Sequence, residues 1–160
     1  MKILVTGGVK SGKSRRALEL AKPFSPDRWF LATATAFDDE MRDRIERHKA
    51  ERASDFNTIE EPVRIDEAVR ERMIVDCIPM WLNNLFFTGR ENDWEGILDR
   101  FIARWPDHVV VVTNEIGMGV IPADPMSRRY GVALGAINAR LASAADRVEL
   151  MVAGIPVRIK

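Results

Sequence analysis

Residues 2–22 read KILVTGGVKSGKSRRALELAK, and this stretch decides the fold. Lys2 to Thr6 form an apolar, β-branched run that predicts a strand. Gly7-Gly8-Val9-Lys10-Ser11-Gly12-Lys13-Ser14 then matches G-x-x-x-x-G-K-[ST] in full. A helix is predicted from Lys13 to about Lys22, ending before Pro23. The order strand, glycine turn, helix has a mechanical meaning. Small residues let the backbone curl so that successive N–H groups converge on phosphate oxygens. The start of the helix adds its positive end. In such a loop Lys13 reaches the β- and γ-phosphates, and the Ser14 hydroxyl ligates Mg²⁺. The motif predicts a nucleotide and leaves the chemistry open.

Beyond the loop, apolar runs alternate with helical patterns, which predicts βαβ units and a mainly parallel sheet flanked by helices. Strands are expected at 29–34 (WFLATA), 57–60, 72–76 (RMIVD) and 108–115 (HVVVVTNE). The last is an unbroken run of the kind buried on both faces. Helices are expected at 38–53, 80–87, 94–104 and 126–145, with Gly131 and Gly135 unfavourable inside the last. RVELMV and IPVRIK, joined through Ala153-Gly154, predict a closing hairpin whose final strand runs antiparallel.

The 160 residues suit a single domain spanning 1–160. Lys plus Arg (24) equals Asp plus Glu (24), so no charge excess points to nucleic acid or an anionic membrane. One cysteine, Cys77, excludes an internal disulfide and a CxxC metal framework. MKILVTGG runs directly into the first strand without a signal-peptide pattern, and no apolar run is long enough to span a bilayer. A cytoplasmic setting is the expectation.

Ligands of open α/β sheets gather beyond the carboxyl ends of the strands, and two acids fall there. Asp76 ends RMIVD and suits a Mg²⁺ contact, direct or through water. Glu115 ends HVVVVTNE and suits a base toward a substrate hydroxyl or a second metal contact. Each also has a plain reading as a cap on the following turn. Cys77 reads as a small buried residue and His108 as structural. His48 stands among Arg44, Arg47, Lys49 and Arg52, on a helical stripe with Met41 and Ile45. From the residues alone it is either a half-buried surface-helix histidine or an imidazole kept neutral by nearby cations to attack a phosphate.

Taken together, ILVTGGVKSGKSR, DDEMRDRIERHK, TIEEP, DCIPMWLNNL, VVVVTNEIGMGVIP, INARLASAAD and GIPVRIK resemble one family nearly end to end. It is the bifunctional adenosylcobinamide kinase / adenosylcobinamide-phosphate guanylyltransferase family of cobalamin biosynthesis. The resemblance implies a P-loop NTPase (RecA-like) fold assembled as a homotrimer. It implies two reactions. In one, the γ-phosphate of ATP or GTP passes to the aminopropanol hydroxyl of the corrinoid, adenosylcobinamide. In the other, GMP passes from GTP to that phosphate through a GMP-histidine intermediate, for which His48 is the matching residue. By the same resemblance, guanine-nucleotide contacts fall at Gly7 to Ser14, at Ala32-Thr33-Ala34, at Lys49-Ala50-Glu51-Arg52, and at Glu60 and Asp76.

The chain departs from the family pattern at Ala53 and Phe56, where proline and tryptophan are usual. It departs again at Pro79, in place of a threonine-like residue, and at Gly131-Val132, in place of an Arg-Asp pair. It is also shorter between about residues 85 and 108. Two other readings of the residues stand beside the resemblance: a P-loop kinase for another small hydroxyl substrate, and a GTP-binding switch module.

Overall fold

A computed structural model describes residues 1–36, 39, 42, 43, 46 and 56–160. The expected helix at 38–53, with His48, Lys49, Ala50, Glu51, Arg52 and Ala53, lies largely outside the described residues. Asp39, Arg42, Asp43 and Glu46, which are described, have helical backbone and are exposed. The strands are β1 (Lys2–Gly7), β2 (Trp29–Ala32), β3 (Asn57–Glu60), β4 (Met73–Asp76), β5 (Val109–Val112), β6 (Arg147–Val152) and β7 (Ile155–Arg158). The helices are α1 (Lys13–Ala21), α2 (Ile65–Ala68), α3 (Ile78–Phe87), α4 (Trp94–Arg104) and α5 (Pro125–Ala144), with a 3₁₀ turn at Lys22–Phe24.

The strands form one seven-stranded sheet in the order β3-β2-β4-β5-β1-β6-β7. Every pairing is parallel except β6 with β7. The expected antiparallel hairpin is present. Its turn places Ala153 at φ 50° and Gly154 at φ 85°, the left-handed pair that a two-residue hairpin needs.

Strand alternation sorts the core onto two faces. Leu4, Leu31, Met73, Val75, Val109 and Val111 pack with Ile65 of α2, with Trp81, Leu82 and Leu85 of α3, with Ile97, Leu98 and Phe101 of α4, and with Leu134, Ile137 and Leu141 of α5. Ile3, Val5, Phe30, Ile74, Val110 and Val112 pack instead with Ala17 and Ala21 of α1 and with Phe24. Each fully buried side chain of this size contributes about 1.5–3 kcal/mol relative to exposure. The chain leaves β1 for α1 on one face and β5 for α5 on the other. The carboxyl ends of these neighbouring strands therefore open into a crevice, the place where such sheets bind ligands.

β2 and β5 are among the strands shorter than expected. β2 stops at Ala32 because Thr33 turns its side chain onto the backbone of β4's exit, as described below. β5 stops at Val112, so Glu115 lies beyond the strand and not at its last residue. The short α2 was not expected; buried Asp66 joins it to α4 through Arg100 at 2.6 Å. α3 begins at Ile78, and Pro79 sits in its first turn, where a missing N–H breaks no helical bond. Phe56 packs edge-on against Phe30, with ring centroids 6.1 Å apart. His108, read as structural from the sequence, has φ 58° and an edge contact to Phe24. No described helix is long and apolar enough to cross a membrane.

Candidate active site

The phosphate loop begins where β1 runs out of partners. Gly7 adopts φ 147°, and a Cβ there would lie 2.5 Å from the carbonyl oxygen of Met151 and 2.8 Å from Ser11 Oγ. Only glycine fits that position. Gly12, at φ 95°, turns the chain into α1 and occupies its N-cap. Lys10 is also left-handed, at φ 56°. Ser11 N–H donates to the Gly8 carbonyl at 3.3 Å, which tightens the curl.

Lys13 is buried at the mouth of α1, and its Nζ donates to the Gly8 carbonyl at 2.5 Å. The ammonium is thus aimed back across the loop, where a phosphate chain would lie. Ser11 Oγ is buried with no hydrogen-bond partner among the described residues, a spare hydroxyl inside the curl. Ser14 is half-buried in the first turn of α1. The structure brings Gly7, Gly8, Val9, Lys10, Ser11, Gly12, Lys13 and Ser14 together as the motif requires, with Val9 exposed.

Strand register carries the remaining candidates to the same end of the sheet. Glu60 pairs with Ala32, Ala32 with Asp76, Asp76 with Val112, and Val112 with Val5. Asp76 is half-buried at the end of β4, and its peptide bond to Cys77 is cis. Glu115 N–H donates to the Gly7 carbonyl at 3.1 Å, which fixes the segment after β5 directly beside the phosphate loop. The Glu115 carboxylate accepts the N–H of Gly117 at 2.8 Å, closing the turn. This contact is the turn cap that the sequence allowed as one reading of Glu115.

Thr33 is fully buried, and its hydroxyl bridges the backbone of Cys77, donating to the carbonyl at 2.8 Å and accepting the N–H at 2.9 Å. Its own carbonyl accepts from Asn84 Nδ2 at 2.7 Å. The Thr33 side chain joins β2 to β4, and the half-buried neighbours Ala32 and Ala34 are the parts of this segment that reach solvent. Cys77 is half-buried at the edge of the α1-side core.

Three features of the site were not singled out from the sequence. Glu149, an acid within the β6 run, is 2% exposed and accepts from Arg16 Nε at 2.8 Å, Arg16 Nη2 at 3.1 Å, and Arg147. An acid between Val148 and Leu150 on a buried strand was the available signal. The Arg16 hydrogen bond holds Glu149 below the usual carboxylate range against the opposing effect of burial, and Arg16 is raised in turn. Asn138 of α5 accepts from Thr113 Oγ1 at 2.7 Å and donates to the Asn114 carbonyl at 2.9 Å, anchoring the exit of β5. Gly154 N–H donates to the Ser11 carbonyl at 3.1 Å, so the β6–β7 turn braces the phosphate loop. No one-dimensional pattern marks the last two, because their partners are distant in sequence.

Residues 3–159 match the protein family described as cobinamide kinase / cobinamide phosphate guanyltransferase. The chain is 39% identical to the bifunctional adenosylcobalamin biosynthesis protein CobU of Salmonella typhimurium, over all of both chains. It is 37% identical to the protein of the same name from Escherichia coli, again over all of both. It is 35% identical to the bifunctional adenosylcobalamin biosynthesis protein CobP of Pseudomonas aeruginosa, over all of this chain and 98% of that one.

Proposed function

The chain belongs to the cobinamide kinase / cobinamide phosphate guanyltransferase family, and from that premise we propose that it carries out both reactions in cobalamin biosynthesis. The observation that carries this reading is the intact phosphate loop within a full-length match.

In the kinase step, the hydroxyl oxygen of the cobinamide side chain attacks the γ-phosphorus of ATP or GTP. The bond to the β-phosphate oxygen breaks, and the nucleoside diphosphate leaves. Lys13 and the loop N–H groups hold the phosphates in line and offset charge on the departing oxygen. Glu115, tied to Gly7 through its backbone, would take the hydroxyl proton. Ser14 and Asp76 supply a hydroxyl and a carboxylate, the hard oxygen donors that Mg²⁺ takes together with substrate phosphates and water. When bound, Mg²⁺ would neutralise charge on the phosphate oxygens.

In the guanylyl transfer, the reading assigns His48 as nucleophile. Its ring nitrogen attacks the α-phosphorus of GTP and pyrophosphate leaves. An oxygen of cobinamide phosphate then attacks the same phosphorus, restoring the imidazole and forming a phosphoanhydride. Two steps replace one difficult transfer. The support is the sequence DDEMRDRIERHKAER, whose cations favour a neutral ring and attract a triphosphate. Lys49 to Arg52, Ala32 to Ala34 and Glu60 would serve the guanine nucleotide. A homotrimer, with sites near subunit boundaries, fits a domain too small to enclose a corrinoid alone. The single cysteine agrees with a reducing, cytoplasmic setting.

Incubation with α-labelled GTP tests this reading. The expected result is acid-labile, alkali-stable label on the protein, lost in His48→Ala. Transfer of γ-label to a hydroxyl substrate without protein labelling would reduce the chain to a kinase with a structural His48.

A further inference from the structure

β2 and β3 pair side by side as far as Ala32 and Glu60. Their ladder ends just beyond, where Glu61 N–H donates to the Ala32 carbonyl at 3.0 Å. Past that rung a side chain joins the two exits. Asn84 of α3 is 3% exposed, and its Nδ2 donates to the Thr33 carbonyl at 2.7 Å and to the Pro62 carbonyl at 2.9 Å. Both amide hydrogens are thereby used. The amide cannot be turned over, because Oδ1 in the same place would face two carbonyl oxygens with no proton between them. Oδ1 is buried with no hydrogen-bond partner among the described residues. An unmatched buried acceptor costs stability, so the amide stands here for the two bonds its nitrogen makes.

One turn earlier on α3, Trp81 is fully buried, and its Nε1 donates to the Val63 carbonyl at 2.8 Å. The Thr33 hydroxyl in turn holds the backbone of Cys77, just ahead of the same helix. α3 therefore grips the segment after β2 and the segment after β3 together. These segments carry Ala32 to Ala34 and Glu60, which the family reading gives to the guanine nucleotide. Asn84 itself is too buried to touch a ligand.

We propose that Asn84 is a positioning residue for the guanosine end of GTP, fixing the spacing between the Ala32–Ala34 and Glu60–Pro62 segments. The inference rests on the reading of those segments as guanine contacts and adds the residue that sets their separation. Groups that meet a ligand through hydrogen bonds must be held to within about 0.5 Å, and buried bonds to their backbone do this. The phosphate loop is a separate matter. In the sheet order β2 lies three strand spacings from β1, roughly 14 Å. Asn84 thus acts on the guanosine end and leaves the triphosphate contacts alone.

Calorimetric titration of the full chain with GTP and with inorganic tripolyphosphate tests this role in wild type, Asn84→Leu and Asn84→Ser. Asn84→Leu keeps the volume and removes the donor, whereas Asn84→Ser retains one hydroxyl donor. The readout is the ratio of GTP to tripolyphosphate affinity, which a general loss of stability does not move. It is expected to fall about tenfold in Asn84→Leu, the equivalent of one net hydrogen bond, and by less in Asn84→Ser. Leu141→Ala, at a fully buried site on α5, is the destabilised control and should keep the wild-type ratio. An unchanged ratio in both Asn84 variants would overturn the inference, as would an equal fall in Leu141→Ala. Failure of both Asn84 variants to fold, judged by thermal unfolding, would make Asn84 a residue of the fold alone and overturn it too. A wild-type chain that bound GTP no more tightly than tripolyphosphate would overturn the guanine-contact reading itself, and the inference with it.

Discussion

Glu149 and Arg16 join the buried strand β6 to the helix that carries the phosphate loop, through two hydrogen bonds of 2.8 and 3.1 Å. Removing Arg16 would take two of three guanidinium hydrogen bonds from a carboxylate that is 2% exposed, leaving Arg147 as its remaining partner. Arg16→Met is therefore expected to destabilise the fold by about 2 kcal/mol, measured by urea unfolding at neutral pH.

The same pair sets an acid limb. Glu149 has a folded-state pKa below its ordinary value, so the unfolded chain binds its proton first as pH falls. Its contribution is fully present above the unfolded glutamate pKa of about 4.3 and is lost as pH drops through the lower folded value. Stability measured from pH 7 to pH 2 should decline through this window. In Glu149→Gln the decline should be shallower, with lower stability at pH 7.

Gly7 cannot carry a side chain, because a Cβ would meet the Met151 carbonyl at 2.5 Å. Gly7→Ala must push the loop away from β6 or strain φ, at a cost of roughly 2 kcal/mol. Nucleotide affinity should fall together with stability. Gly8→Ala, where a Cβ would meet nothing within 4 Å, should leave stability near wild type and serves as the comparison.

Lys13 reaches across the loop to Gly8, and in the proposed reading its charge offsets that of the phosphates. Lys13→Ala should lower γ-phosphate transfer by about a hundredfold or more while the chain stays folded. Transfer of labelled γ-phosphate under saturating nucleotide is the measurement.

Asn138 holds the backbone that leads to Glu115. Asn138→Ala leaves the buried Thr113 hydroxyl without its acceptor, at about 1–2 kcal/mol. A displaced Glu115 should slow γ-phosphate transfer with little change in nucleotide KM. A change confined to KM would instead assign Asn138 to nucleotide binding.

The legible parts of this protein are those whose physics is local. The left-handed glycines, the convergent N–H groups and the helix start all belong to residues 7–14, so a contiguous motif specifies the phosphate loop. The unbroken VVVV of β5 announced a strand buried on both faces, and Ala153-Gly154 announced the hairpin turn. Pro79 read as the loss of a donor, yet at the first turn of α3 that donor has no helical partner to lose.

What the sequence by itself determined is the nucleotide loop, the parallel sheet, the closing hairpin and the family. Tertiary structure alone decided that Thr33 is spent joining β2 to Cys77, and that Glu115 is fastened to Gly7 beyond the end of its strand. It alone brought Gly154 and Arg15 together over Gly12. The reason is range: helix, turn and strand patterns arise from neighbours along the chain. The order β5-β1-β6 instead joins segments more than a hundred residues apart, and only packing of the whole sheet selects those partners.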